Sequence, residues 1–312
     1  MTGSTNGMQD SQEGQEHISV CICTYKRPAL LERLLRALDT LQTGGQFTYS
    51  LVVVDNDATK SAKPVVERFA QGAAVPVRYD VEPERSFSLV RNRAVANAEG
   101  AHIAFIDDDE YPGPDWLVRL FGAMKGYGAD GILGPVVPEY ETDPPEWVIR
   151  GKLCERETFE TGTVIRSHVY TRTGNTLLDR SLFTAGRVPF DPRYGRTGGE
   201  DADFFKRLIA ENKKLVWCNE APVWEKVTRE RMARSYFLKR ALMRGIANSR
   251  SVSLVSRTTA KSLLAVAVYT AMTPVCIVLG QHMAMKYLIR SCDHIGMLLG
   301  VLGMAPTLQR PV

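Results

Sequence analysis

The sequence predicts an α/β fold, a mostly parallel sheet flanked by helices. Three observations predict it. Short apolar runs alternate with amphipathic stretches from Ile18 to Asp107, the pattern of strand–helix–strand units. Each strand-like run ends in polar residues, and in parallel sheets ligands bind at the carboxyl ends of the strands. The 312 residues are 44 % hydrophobic and 24 % charged, enough apolar material for a large core, which excludes disordered, collagen-like and coiled-coil chains.

The elements follow in order. Ile18–Cys23 reads as a buried strand running into Thr24-Tyr25-Lys26-Arg27-Pro28. Pro28 suits the first turn of a helix, and Leu30, Leu31, Leu34, Leu35, Leu38 and Leu41 form its apolar stripe before Gly44-Gly45. Leu51–Val54 is a second strand, ending in Asp55-Asn56-Asp57, followed by a helix over Ala62–Gln71. Val77–Val81 is a third strand, Ser88–Asn97 a third helix, and His102–Ile106 a fourth strand running into Asp107-Asp108-Asp109-Glu110. A helix from Trp116 to about Gly126 and an irregular stretch, Gly134–Gly151, come next. Thr163–Arg172 and Thr176–Leu178 read as strands, Gly195–Asp201 as a turn opening a helix to Asn212, and Leu215–Cys218 as a late strand. Met1–His17 is polar and lacks a signal-peptide core, so a disordered leader is expected there. No GxGxxG follows the first strand and no GxxxxGK[ST] occurs, so dinucleotide and P-loop chemistry lack their fingerprints. The six cysteines form no CxxC pair, which points to buried thiols in a reducing compartment and to no zinc site.

Two acidic constellations carry the chemistry. Along an extended strand Asp107 and Asp109 share a face, about 6.6 Å apart, with Asp108 directed away. Two carboxylates held so close call for a cation between them, and oxygen ligands suit Mg²⁺ or Mn²⁺, which leaves positions for phosphates. The plain alternative is a solvated acidic turn. A phosphatase of the dehalogenase type also carries DxD after a strand, but needs a small hydroxyl residue where this chain has Tyr111. The second constellation is Gly198-Gly199-Glu200-Asp201. Its glycines would let backbone approach a ligand, its carboxylates fall in a first helical turn that favours the ionised form, and an ionised carboxylate can take a proton from a hydroxyl. The alternative is ordinary charge complementarity at a helix start.

Together the ordered set Ile18–Pro28, Val52–Asp55, Leu89–Asn92, Phe105–Asp109 and Gly199–Asp201 resembles the family 2 glycosyltransferases over about Ile18 to Val227, and is similar to succinoglycan-type exopolysaccharide glucosyltransferases. The resemblance implies a GT-A nucleotide-sugar-binding fold, Rossmann-like, over residues 18–227. It implies that Thr24, Tyr25 and Asp55 hold base and ribose, that Arg91 and Asn92 shape the nucleotide pocket, and that Asn175 lies near the donor sugar. Asp107 would touch ribose or ion, Asp109 would bind Mn²⁺ or Mg²⁺, Asp201 would be the base, and Glu200 would support the acceptor. The reaction implied is inverting transfer of a sugar, glucose from UDP-glucose being the expected donor, to a lipid-linked or growing polysaccharide acceptor. Relatives carry a His after the late strand where this chain has Trp224-Glu225. Trp116, Trp147 and Trp224 are candidates for stacking on sugar rings, Trp147 first among them.

Residues 228–312 are expected to be a basic and apolar helical region. Lys226–Lys261 holds ten Lys/Arg and one acid, Glu230, a block suited to anionic headgroups; no nucleic-acid motif accompanies it, so nucleic acid is not expected. Ser262–Met285 has no charged residue and as a helix would reach ~36 Å, enough to cross a bilayer. Lys286 and Arg290 on the far side oppose a single span, so helices lying in the cytoplasmic leaflet of the inner membrane are favoured. A true span and a helical homodimer interface are the alternatives. A non-enzymatic membrane scaffold that keeps the fold is the remaining alternative for the whole chain.

Overall fold

The computed structural model describes residues 15–183, 188–250 and 252–304. The expected leader lies almost wholly outside them, and its boundary moves: strand β1 spans Glu16–Thr24. It is followed by α1 (Pro28–Leu38), β2 (Phe47–Asp55), α2 (Lys63–Ala70), β3 (Val77–Val81), α3 (Phe87–Asn97) and β4 (His102–Asp107). Then come β5 (Glu110–Pro112), α4 (Trp116–Tyr127), β6 (Gly131–Leu133), β7 (Val136–Tyr140), α5 (Glu146–Gly151) and β8 (Asn175–Asp179). The chain continues through α6 (Glu200–Ala210), β9 (Leu215–Trp217) and β10 (Val223–Val227) into α7 (Arg234–Ser249), α8 (Arg257–Leu279) and α9 (Gln281–Val301).

The main sheet has the order β3-β2-β1-β4-β8-β6-β9. It is mostly parallel, as expected, with β8 antiparallel to both β4 and β6. Alternate residues feed two layers. Ile18, Val20 and Ile22 of β1 face a core with Leu31, Leu34, Leu35 and Leu38 of α1 and with Trp116, Leu117 and Leu120 of α4. Cys21, Val52, Val54, Ile103 and Phe105 face the opposite layer, with Val90 and Ala94 of α3 and Phe204, Phe205 and Leu208 of α6. All six cysteines are free.

One expectation needs correction, and one element is new. Thr163–Arg172 is not a strand; it contributes one isolated bridge, Val164 to Val216, and a 3-10 turn at His168–Tyr170. A second sheet, β5-β10-β7, was not legible in the sequence. Its strands are only three to five residues long, too short for a period-2 pattern to stand out.

Asn175 at the start of β8 is a scaffold residue, not a sugar contact. It is 1 % exposed. Its Oδ1 accepts from Trp116 Nε1 at 2.8 Å, and its Nδ2 donates to the carbonyls of Pro135 and Ala221 at 2.9 and 2.7 Å. Every amide atom is used, and β8, α4, the strand following Pro135 and the turn before β10 are tied together. Trp116 is therefore core as well.

The three C-terminal helices form one unit. Gly245 and Gly296 let α7 and α9 touch: a Cβ at Gly245 would lie 2.0 Å from the Asp293 carbonyl, and one at Gly296 2.1 Å from the Leu242 carbonyl. Arg244 pairs with Asp293 across the same contact. Gly280, at φ +125°, turns the chain from α8 into α9. Phe237 and Met285 join Val148 and Val227 in a third core cluster that docks the unit on the sheets. Trp147 belongs here, edge-on to Phe237 at 5.8 Å, so it is a packing residue rather than a sugar platform. α8 lies outermost: its most apolar 18 residues have a mean hydropathy of 2.1 and are only 11 % buried, with Leu264 66 % and Val278 87 % exposed.

Asn175→Ala leaves one buried donor and two carbonyls without partners, each worth about 1–3 kcal/mol. The expected loss is about 2–4 kcal/mol in urea unfolding, with nucleotide affinity retained in the folded fraction.

Candidate active site

The register of the main sheet brings the site together. Thr24 lies opposite Asp55, and Cys23 opposite Asp107, so the carboxyl ends of β1, β2 and β4 are level. A cavity of about 380 Å³ opens there. Thr24, Tyr25, Arg91, Asp107 and Asp109 all line it, together with Arg27, Asp108, Arg156, Glu225, Arg231 and Arg240. Asn56 shapes its rim: Nδ2 donates to the carbonyls of Glu82 and Glu84, and Oδ1 accepts from Ser86 N at 2.9 Å.

Asp55 and Asn92 do not reach the cavity. Asp55 is fully buried. It accepts from Asp57 N, Ala62 N and Tyr79 OH at 3.0, 2.8 and 3.1 Å, which folds the β2–α2 turn. Asn92 exchanges two hydrogen bonds with the backbone of Phe190, at 2.7 and 2.9 Å, fixing α3 against the segment before α6. Both hold the frame of the pocket.

The acidic run is arranged differently from a continued strand. β4 ends at Asp107 and the next two residues turn, so Asp107 and Asp109 do not share a strand face. Asp108 does not point away: it accepts from Thr24 Oγ1 at 2.8 Å and from Arg27 Nη1 at 3.0 Å. Asp109 pairs with Arg27 at 3.1 Å and with Arg231 at 2.6 Å. Burial lifts the Asp108 carboxyl to about 6 against the pull of Arg27. Burial also raises Asp107, opposed by Arg91, and raises Glu110, with Asp107 adding repulsion.

Arg91 joins the two acidic constellations. Its guanidinium pairs with Glu200 and reaches Asp107 at 3.4 Å. Burial alone would lower its pKa, but Glu200 and then Asp107 outweigh this and raise it, so the bridge stays charged. Glu200 is 1 % exposed and locked to this pair. Asp201 is partly exposed and accepts from Ala202 N, and neither it nor Glu200 borders the cavity at the strand ends. Both lie in the first turn of α6. The glycines before them act through conformation: Gly198 and Gly199 have φ +76° and +98°, and a Cβ at Gly199 would make only ordinary contacts. Gly195 supplies the close approach, its absent Cβ falling 2.1 Å from Ser86 Oγ; its carbonyl also accepts from Phe87 N at 2.9 Å.

Glu225 faces Glu110 across the second sheet. Like charges in register repel, and Arg156 lies between them, paired with Glu225 and 3.8 Å from Glu110. Arg231 also pairs with Glu225 at 3.0 Å. Trp224 stacks on Tyr111 at 5.6 Å. Arg27, Arg156, Arg231 and Glu225 were missed in the sequence as site residues. The cue for Arg231 and Arg240 was the basic block itself, read there as a surface. Instead Arg231 serves the site, Arg244 pairs within the helical unit, and Arg250 donates to Thr197 Oγ1 at 3.2 Å.

The donor set for a divalent ion is oxygen-only, the chemistry Mn²⁺ and Mg²⁺ prefer. Asp107 and Asp109 both border the cavity, and one buried oxygen of Glu110 beside them has no hydrogen-bond partner. Among the described residues no group of three such ligands stands assembled, and Asp109 is paired with Arg27 and Arg231.

A mostly parallel sheet with acids at its strand ends and a second small sheet alongside is the GT-A fold of glycosyltransferases. The Glycosyl transferase family 2 profile matches residues 19–185, more than half of the chain, and the protein belongs to that family. It is 32 % identical over 237 residues to the succinoglycan biosynthesis protein ExoM of Rhizobium meliloti, covering 75 % of this chain and 74 % of that one. It is 29 % identical over 208 residues to the glycosyltransferase AglE of Haloferax volcanii, covering 65 % and 64 %. Among solved structures, S. aureus TarS 1-349 in complex with UDP-GlcNAc aligns at a TM-score of 0.56 and 16 % identity over 92 % of this chain and 91 % of that one, which establishes the fold.

Removing the Arg91 guanidinium breaks a buried ion pair, at a cost of about 3–5 kcal/mol. Arg91→Gln is expected to lower sugar transfer at least a hundredfold, and Arg91→Lys less, as measured by released nucleotide. A rate within threefold of wild type in a folded Arg91→Gln protein contradicts this role.

Proposed function

We propose that this glycosyltransferase moves a sugar, glucose being the first choice, from a UDP-sugar to a lipid-linked or growing polysaccharide acceptor, with inversion. The observation that carries the reading is the Arg91 bridge, which ties Asp107 at the strand ends to Glu200 in the first turn of α6. Similarity to a succinoglycan biosynthesis protein supports the polysaccharide product. The likeness to a UDP-GlcNAc complex agrees with a UDP donor.

In this proposal Thr24 and Tyr25 border the base and ribose, with Asp55 and Asn56 holding the loops that form the pocket. Asp109 with Asp107 would hold Mn²⁺ or Mg²⁺, which when bound supplies positive charge to the departing diphosphate. Arg27 and Arg231 stand at the same carboxylate and give charge of the same sign. Asp201 accepts the proton of the attacking acceptor hydroxyl. Glu200 and Arg91 fix the first turn of α6, which carries this carboxylate. Residues 18–227 are the catalytic domain, and 228–312 the helical region. The apolar outer face of α8 suits the cytoplasmic leaflet of the inner membrane; the exposed face would equally suit a homodimer contact.

A donor screen with purified protein, reading nucleotide release with and without Mn²⁺, tests the reading. Asp201→Asn is expected to abolish transfer while keeping UDP affinity within about threefold. Asp109→Asn is expected to lose metal-dependent UDP binding. Full transfer by Asp201→Asn, or UDP affinity indifferent to Mn²⁺ in the wild type, contradicts the respective assignment. Phosphomonoester hydrolysis without sugar transfer would favour the phosphatase alternative, and nucleotide binding without any turnover the scaffold.

A further inference from the structure

A second cavity, also about 380 Å³, lies behind the wall of the nucleotide cavity. Arg156, Glu225, Arg231, Tyr236 and Arg240 border both, whereas Arg172 borders only the second. On its other side stand Phe237 and Arg244 of α7 and Ile289 of α9. The cavity therefore sits between the two sheets and the helical unit that presents the apolar face of α8.

Arg172 sets this cavity apart. Arg156 is matched by Glu225, Arg231 by Asp109 and Glu225, and Arg244 by Asp293. Arg172 makes no hydrogen bond and has no carboxylate within 4.0 Å among the described residues. Burial, and then the repulsion of Arg156, push its guanidinium down to about 10. Asp201 and Glu225 attract it from further off, and Arg240 repels it. Burying a cation without a counter-charge is costly, and guanidinium groups are suited to paired contacts with phosphate oxygens. An anion placed here would sit beside Arg172, Arg156 and Arg240, in electrostatic range of Asp201.

We propose that this second cavity binds a phosphate or diphosphate group, with Arg172 as its main ligand. The inference rests on the acceptor reading above and names what the protein grips: the phosphate that joins the growing glycan to its lipid. The position against the helical unit argues for the lipid-borne source. A free diphosphate is the other source of the same chemistry.

The test uses the full chain saturated with UDP, so that the first cavity is filled. It is titrated with farnesyl diphosphate, inorganic pyrophosphate and farnesol. Farnesyl diphosphate is expected to bind saturably, and Arg172→Gln to weaken it roughly tenfold or more, with UDP affinity unchanged. Where Arg172→Gln fails to fold, Arg172→Lys serves, with a weakening of about threefold or more. Pyrophosphate binding as tightly as farnesyl diphosphate, and weakened alike by the variant, supports the anion site with a free source. Farnesol matching farnesyl diphosphate, or Arg172→Gln binding as wild type does, overturns the proposal. Absence of UDP binding in the wild type would strike the donor reading instead, and the same titration without UDP would still read Arg172.

Discussion

The guanidinium of Arg91 sits between Asp107, at the end of a central strand, and Glu200, which follows Arg91 by 109 positions. Burial works against the charge on Arg91 and raises the Asp107 carboxyl, and each partner's opposite charge offsets this. The arrangement fixes where α6 begins relative to β4. It thereby fixes where Asp201 stands relative to the acids at the strand ends. A buried ion pair of this kind is weak as a source of stability; its contribution here is positional.

The same rule, carboxylates interleaved with arginines, extends outward. Arg27 spans Asp108 and Asp109, Arg231 spans Asp109 and Glu225, and Arg156 stands between Glu225 and Glu110. Most of this network comes from β-strands and the segments between them; Arg231, in the 3-10 turn that leads into α7, is the member that follows the second sheet. Bringing in a nucleoside diphosphate changes the count of negative charges in this network, and the arginines are placed to answer it. Arg172 lies at the edge of the network with no direct partner among the described residues.

Much of the fold was legible in the sequence because it rests on local periodicity. Leu31, Leu34, Leu35 and Leu38 mark α1, and the apolar runs at 18–23, 51–54 and 102–106 mark three strands, all recovered within a few residues. The site was legible where acids follow a buried strand or open a helix. It was not legible where the deciding contact is long-range. The turn after β4 re-aims Asp108 and Asp109, and nothing in a run of three aspartates announces that. Asp55, Asn92 and Asn175 have polar side chains used by partners within the fold, which the sequence does not distinguish from side chains turned to a ligand. Arg156 lies in an irregular stretch with no period, and Arg231 in a basic run whose charge suggested a surface.

The most direct test of the account is a double-mutant cycle on transfer rate with Arg91→Gln and Glu200→Gln. If the two side chains act as one bridge, the double variant is about as slow as the slower single variant, and the free-energy effects fall well short of adding. Fully additive effects would mean that Arg91 and Glu200 serve the reaction independently, and the bridge would lose its place at the centre of the site.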